Sequence, residues 1–582
     1  MSDQSPPTGA AAGKLSPVEK IKAESRYLRG TIAEELAGPA DGFSKDMGQL
    51  IKHHGMYQQD NRDQRASKEG KKSARQVSFM IRAKIPGGRL SSTQLLAQLD
   101  LCDELGNTTL RITDRQALQF HGVVKGDLRQ LIRRVDEVQM TTLGACGDVE
   151  RNVMCCPAPL RFDGIRDQLH ALARRLSEHL LPRSRAYHEI WIRDPESGQQ
   201  ELVGGQAEAE ESEPLYGRTY LPRKFKTAIG LPEDNCVDIH ANDLGFLTIH
   251  QAGRILGFNV LVGGGMGVTP SNKNTFPALS RPIAFITPEE VVDIAEAVIR
   301  VYRDFGDRGD RKRARLKYLI ADWGLERFRQ KVEEYYGKPL AAARPVLVHG
   351  FDDHLGWNAQ GDGRWFYGLN VENGRILDNE RMQLKSALRE ICGRLAPGIS
   401  LTSHQSILFT DLPQDARPVL EEILQRHGIK RSEDISNVRR WSMACVALPT
   451  CPLAVTESER VLPSLMDELE QELSRLGLAD ERFTTRMTGC PNGCARPYNA
   501  DVGLVGKTAG KYTLYLGGRL LGDRLAFIYK ELVPLEEVVA TLRPVLVAFK
   551  AQRQEGETFG DFCHRLGREG LEATTADAMH PV

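Results

Sequence analysis

An internal repeat constrains this chain more than any other feature. Residues 87–123 run GGRLSS…TLRITDRQALQFHGV, and residues 373–412 repeat the pattern as NGRILD…GISLTSHQSILFTDL. A second pair follows, because ANDLGF…VLVGGG at 241–265 returns as NADVGL…LYLGG at 499–518. The order is A–B–A′–B′, two copies of a smaller α+β unit, each followed by a larger one. Copies folded alike pair about a pseudo-twofold axis, with a site at their junction. A length of 582 residues agrees, being too long for one core and sufficient for three or four domains. The expected division is a disordered segment and surface arm at 1–75, then small units at 76–145 and 341–430. The larger units are expected at 146–340 and 431–582.

The last unit carries the chemistry most visible in the sequence. Residues 445–451 read CVALPTC and residues 490–494 read CPNGC, offering Cys445, Cys451, Cys490 and Cys494. Two close pairs set a few dozen residues apart can place four thiolates around one iron–sulfur cluster. Pro449, Pro452 and Pro491 stiffen the turns, while Gly489 and Gly493 allow close backbone approach. Two other readings compete. Zinc prefers two to four residues between paired cysteines, which the C-x5-C spacing exceeds. Free cysteines are also among the most buried residue types, so plain core thiols remain open.

C-x5-C…C-x3-C with TGCPNGC resembles the sirohaem- and [4Fe–4S]-containing sulfite and nitrite reductase family. The similarity runs from about Tyr27 (YLRGTIAEEL) to about Phe562 (EGETFGDF). The resemblance implies an α+β protein of two pseudo-twofold-related ferredoxin-like half-domains, each with a larger α/β sirohaem/cluster domain. It further implies that the four cysteines hold a [4Fe–4S] cluster and that Cys494 also bridges to the sirohaem iron. By the same resemblance Arg82, Arg151, Lys224 and Lys226 line the face where sulfite binds. Arg111, Arg115, Gln119 and His121 match positions around the sirohaem, and Asn492 sits beside cluster and macrocycle. The implied reaction is the six-electron reduction of sulfite to sulfide, in sulfate assimilation and cysteine biosynthesis. Nitrite reduction to ammonia is the rival on the same scaffold. Nitrite-type members tend to have Asn at the second Lys of RKFK, so Lys226 favours sulfite.

The two copies differ in ways that suit this chemistry. The first LRITDRQALQF turn carries Arg111 and Arg115, where the second copy has Ser400 and His404. RKFK (223–226) lies ahead of ANDLGF much as TGCPNGC lies ahead of NADVGL, so one half is expected to supply cations and the other thiolates. Arginine suits bidentate carboxylate recognition, and lysine provides a compact charge and a proton. Taken singly, each cation also has the blander reading of a solvated surface charge, and His121 that of a satisfied core histidine.

Composition narrows the partners. Equal totals of 77 acidic and 77 basic residues give no steering towards nucleic acid or membrane. Eleven cysteines and no apolar N-terminal stretch predict a reducing, cytoplasmic setting. No NADPH or flavin motif is present, so electrons are expected from another protein, an NADPH-oxidising flavoprotein, with a ferredoxin as the alternative. YLRGTIAEEL and HHGMYQQDNRDQR resemble the flavoprotein-linked type, while GCPNGCARPYNADVG suits the ferredoxin-linked type equally. VGGGMG (262–267) and DVGLVGKT (501–508) depart from nucleotide-loop patterns and read as close-packed turns. Residues 194–214 read as an exposed loop. Cys155 and Cys156 read as inert core, and Cys102, Cys146, Cys236, Cys392 and Cys563 carry no site signal.

Overall fold

The computed structural model describes residues 14–65, 76–184, 186–187, 190–193, 200–204 and 213–578. All but the last residue of the segment 1–14, expected to be disordered, and most of the 194–214 stretch lie outside them.

The first small unit is built from β1 (Met56–Asp60), β2 (Val77–Arg82), β3 (Arg89–Ser91), β4 (Leu110–Ile112) and β5 (Leu118–Val123). A hairpin of β6 (Ile190–Arg193) and β7 (Gln200–Gly204) follows, so part of the expected loop is strand. The first large unit contributes β8 (Thr227–Gly230), β9 (Leu244–Gln251), β10 (Arg254–Val262) and β11 (Arg281–Ile286). In the second small unit come β12 (Gly356–Ala359), β13 (Trp365–Leu369), β14 (Arg375–Ile376), β15 (Gly398–Leu401) and β16 (Ile407–Leu412). The second large unit adds β17 (Ser442–Ala444), β18 (Thr485–Thr488), β19 (Val502–Thr508), β20 (Lys511–Leu516) and β21 (Phe527–Pro534).

The sheet order shows how the repeat closes. One small sheet runs β1-β2-β5-β4-β14 and the other β12-β13-β16-β15-β3. Each small unit therefore lends one short strand to its partner's sheet: β14 pairs with β4 and β3 with β15. The glycine before each lent strand makes this possible. Gly88 has φ +77°, and a Cβ there would lie 2.5 Å from the Leu401 carbonyl. Gly374 has φ +74°, and its Cβ would lie 2.2 Å from the Ile112 carbonyl. Only glycine tolerates both the left-handed backbone and the contact. GGRL and NGRI, the repeat's most visible words, thus mark the crossing of the two halves.

The large units obey the same symmetry. β8 runs parallel to β9, which pairs antiparallel with β10. β18 runs parallel to β19, which pairs antiparallel with β20. Thr287 and Glu290 form a reciprocal capping box before the helix Val291–Phe305, and Leu462–Leu476 is a helix that buries Leu462, Leu465, Met466, Leu469 and Leu473.

One expectation needs correcting. The N-terminal stretch is not all surface arm, because β1 is the edge strand of the first small sheet and Leu50, Ile51, His53 and His54 are buried. MYQQD alternates too little to reveal a strand, and its pairing with β2 supplies what propensity does not. Further along, Arg62 reaches the carbonyls of Pro449, Cys451 and Ala454, tying the N-terminal segment to the cysteine loop.

Candidate active site

The cysteine loops start where parallel strands end. β17 and β18 are parallel neighbours, with Ala444 beside Met487, and Cys445 and the Gly489–Cys490 turn follow directly. Ligand sites gather at such carboxyl ends of parallel strands. Gly489 is required there, since a Cβ would lie 2.5 Å from the Ala447 Cβ. Its N–H donates to Cys445 Sγ at 3.4 Å, and Asn492 Nδ2 donates to Cys490 Sγ at 3.6 Å. VGGGMG packs on the same turn, where the Val268 N–H donates to the Pro491 carbonyl at 2.9 Å.

The four sulfurs lie within electrostatic reach of one another. Burial raises the thiol pKa of Cys445 and Cys451 and pushes that of Cys490 up to about 12. In all three, the next contribution is a negative charge on Cys494. Three desolvated thiols beside a fourth sulfur whose negative charge disfavours their ionisation become thiolates together with it only around a positive core. The donor set, with its N–H···S bonds, fits an iron–sulfur cluster. Cys494 differs from the others: it is exposed, although Gly493 and Ala495 on either side are buried.

The cations converge on this exposed sulfur. Burial lowers the pKa of Lys224 well below its usual value, as do the neighbouring charges of Lys226, Arg315 and Arg223. Burial brings Lys226 down to about 7, with Arg115 adding to the effect and Asp114 opposing it. Arg82, Lys224 and Lys226 all respond to charge on Cys494, so they lie within its electrostatic reach. Neither lysine ammonium makes a hydrogen bond or ion pair to a described residue. Both are half-buried and sit among like charges, an arrangement that favours an anion.

The other expected residues occupy defined places. Arg82 Nη1 donates to Cys146 Sγ at 3.2 Å, and with its amide turned to suit, Gln119 Oε1 accepts from Arg82 Nε at 3.1 Å. Gln119 therefore orients Arg82. Arg151 is anchored by the carbonyls of Gly147 (2.9 Å) and Ala145 (3.1 Å). Arg115 bonds Asn242 Oδ1 at 2.8 Å and the Asn152 carbonyl at 2.7 Å. Arg111 bridges to the cysteine loop through Glu459 Oε2 and the Ala444 carbonyl, both at 2.8 Å. His121 is buried with neither ring nitrogen hydrogen-bonded, and burial followed by the charges of Arg375, Arg111 and Arg82 keeps it neutral. In the second copy, Ser400 and His404 are buried, the latter stacked edge-on against Phe351 and Trp441.

Sequence reasoning missed several groups here. Lys317 donates to the carbonyls of Gly265 and Gly267, with its pKa brought to about 6 by burial and then by Arg315. Burial raises Glu150 to about 8, against the pull of Arg115 and Lys84. Cys146 touches Arg82. None belongs to a motif, and only the fold gathers them. Register also corrects one equivalence. Thr227 pairs with Leu244 as Thr485 pairs with Val502, so LPEDNC (231–236), not RKFK, is the counterpart of GCPNGC (489–494).

Comparison with known proteins now decides the family. The profile of the nitrite and sulphite reductase 4Fe-4S domain matches residues 172–340 and 436–580, the second match containing all four cysteines. The nitrite/sulfite reductase ferredoxin-like half domain matches residues 73–138 and 358–427. The chain belongs to the nitrite and sulphite reductase family. It is 47% identical over 557 residues to the sulfite reductase [NADPH] hemoprotein beta-component of Chromohalobacter salexigens, covering 95% of this chain and 96% of that protein. It is 42% identical to the sulfite reductase [ferredoxin] of Synechococcus elongatus, covering 98% and 92%. The solved structure of the Mycobacterium tuberculosis NirA protein matches with a TM-score of 0.76 at 25% identity, covering 95% and 96%. Among the described residues no helix is long and apolar enough to cross a membrane.

Proposed function

We propose that this protein reduces sulfite to sulfide, taking six electrons and the protons that carry three oxygens away as water. The observation that carries the reading is the pair of unpartnered ammonium groups, Lys224 and Lys226, held among other cations within reach of the exposed Cys494. Cys445, Cys451, Cys490 and Cys494 would hold the [4Fe–4S] cluster, with Cys494 shared with the sirohaem iron. When bound, cluster and macrocycle supply the electron-transfer chemistry, which the protein tunes and orients.

The chain's own residues then bind and protonate. Arg82, Arg151, Lys224 and Lys226 neutralise the oxyanion, and the anchoring of Arg82 and Arg151 by neighbouring atoms pre-organises them. Lys226, with a pKa near neutrality, can hold a proton at Nζ and release it to a departing oxygen. Arg111, Arg115, Gln119, His121 and Asn492 would hold the macrocycle, the arginines answering its carboxylates. The proposed donor is an NADPH-oxidising flavoprotein subunit, a reading supported by the name of the Chromohalobacter relative. The sulfide would serve cysteine biosynthesis.

The test uses purified protein with reduced viologen as donor, measuring sulfide formed per electron consumed. Stoichiometric sulfide supports the reading, and ammonia from nitrite with no sulfide from sulfite refutes it. Repeating the assay with NADPH plus the flavoprotein, and separately with reduced ferredoxin, decides the donor.

A further inference from the structure

Outside the site just described, four side chains from three parts of the chain meet in the interior. The ligand atoms of Cys156, Asp234, Cys236 and His354 all lie within 4.8 Å of one another. None of the four residues is more than 3% exposed. Cys156 Sγ lies 2.9 Å from Asp234 Oδ2 and 3.6 Å from His354 Nε2, and that nitrogen lies 3.2 Å from the same carboxylate oxygen. Zinc–sulfur bonds of about 2.3 Å and zinc–nitrogen or –oxygen bonds of about 2.0–2.2 Å set tetrahedral edges of about 3.4–3.8 Å. The Cys156–His354 and His354–Asp234 separations already lie near these edges, and the Cys156–Asp234 pair, joined by a hydrogen bond, would open by about 0.7 Å to admit an ion at the centre.

Symmetry makes the meeting more than a coincidence. With Thr227 equivalent to Thr485, Cys236 stands where the second copy has Cys494, and Asp234 where it has Asn492. Met154 bridges Ala228 as Met443 pairs with Arg486, which makes Cys156 the counterpart of Cys445. The first copy therefore keeps two of the four cluster cysteines in their symmetric places. It completes the set with a carboxylate and a histidine. His354 comes from the segment joining the two halves and is held at φ +58°, a conformation uncommon for a non-glycine residue.

We infer that Cys156, Asp234, Cys236 and His354 bind one zinc ion, a structural site related by the pseudo-twofold axis to the iron–sulfur site. Two thiolates, a carboxylate and an imidazole are the donor types that zinc takes in closed four-coordinate sites. The charges balance as well. Two thiolates and one carboxylate carry three negative charges, and zinc with the Arg166 guanidinium, whose Nη2 lies 3.3 Å from Asp234 Oδ2, carries three positive ones. Surrounding groups orient the ligands. The Cys236 N–H donates to Asp234 Oδ1 at 3.3 Å, and His354 Nδ1 faces Asp352 Oδ1 at 3.9 Å. The ion would clamp the inter-half segment onto the turn after β8.

The purified full-length holoprotein, expressed with added zinc, is analysed by mass spectrometry for zinc and iron. One zinc per chain is expected, with a zinc-edge absorption spectrum showing two sulfur neighbours near 2.3 Å and two lighter ones near 2.0–2.1 Å. Cys236→Ser and His354→Gln should each lose the zinc and keep the wild-type iron content, while Cys155→Ser keeps both. Should a variant fail to fold, the wild-type content and spectrum decide alone. Wild-type protein that stays zinc-free after equilibration with zinc overturns the proposal, as does a Cys156–Cys236 disulfide or zinc with no sulfur neighbours.

Discussion

Replacing Lys226 with Asn tests the substrate side of the site most directly. The ammonium has no hydrogen-bonding partner among the described residues, so its removal breaks no internal contact. The expected loss is one charge-assisted hydrogen bond to the oxyanion, about 1.5–3 kcal/mol. At 1.4 kcal/mol per decade, kcat/KM for sulfite falls about ten- to 150-fold. Nitrite carries one charge and two oxygens, so it loses less, and the sulfite-to-nitrite preference shifts by roughly tenfold.

The pH dependence adds a second signature. Burial, reinforced by Arg115, brings the Lys226 pKa down to about 7. A lysine with a lowered pKa carries its proton below that value and loses it above. In the free enzyme kcat/KM should therefore decline as pH rises through about 7, and Lys226→Asn should flatten that limb. A bound anion raises the same pKa, so the limb in kcat lies at higher pH. Nitrite gives the cleaner profile because, unlike sulfite, it does not titrate near neutrality. Steady-state rates with reduced viologen from pH 6 to 9 bypass the protein donor. An unchanged substrate ratio together with an unchanged pH limb would exclude Lys226 from the pocket.

Three other outcomes follow from the geometry. Cys494→Ser should lose the cluster iron and all sulfite reduction, whereas Cys102→Ser, whose buried thiol only bonds the Leu99 carbonyl, should keep the wild-type iron content by mass spectrometry. Arg115→Ala should lower the sirohaem-to-protein ratio in absorption spectra, while the symmetric His404→Ala leaves it unchanged; equal loss in both would refute the division of labour. Asp238→Asn should remove about 3–5 kcal/mol, because the buried guanidiniums of Arg486 and Arg496 lose their shared carboxylate, and scanning calorimetry of the holoprotein should show a lowered midpoint.

Much of this was legible in the sequence because both repeat and cluster announce themselves locally. Glycines at a crossing and thiolates at fixed spacing survive as words in the chain. The exchange of β3 and β14 was not legible, since two- and three-residue strands carry no periodicity. The Cys156 set was also hidden, because its ligands come from three distant segments and Cys156 reads alone as core. Position ahead of a similar word sets RKFK opposite TGCPNGC, whereas the ladder counts residues from paired strands. That count moves Lys226 opposite Thr484 and reveals Cys236 opposite Cys494.

The same register shows one place where the copies cannot be alike. Asp238 and Arg496 occupy equivalent positions, with nearly equal left-handed φ values of 50° and 55°. They also touch: Arg496 Nε lies 2.6 Å from Asp238 Oδ2, with both side chains at most 5% exposed. A position that meets its own symmetry mate cannot carry the same charge twice in the interior, where two like charges would face each other without water. Opposite charges there cost far less, and they make the two halves distinguishable. Once that contact is asymmetric, the neighbouring turns are free to specialise. One keeps four cysteines. The other keeps two, gains Asp234, and leaves its lysines unpaired towards Cys494. The contact at the axis thus tolerates only unlike partners, in keeping with the proposed division into a thiolate half and a cation half.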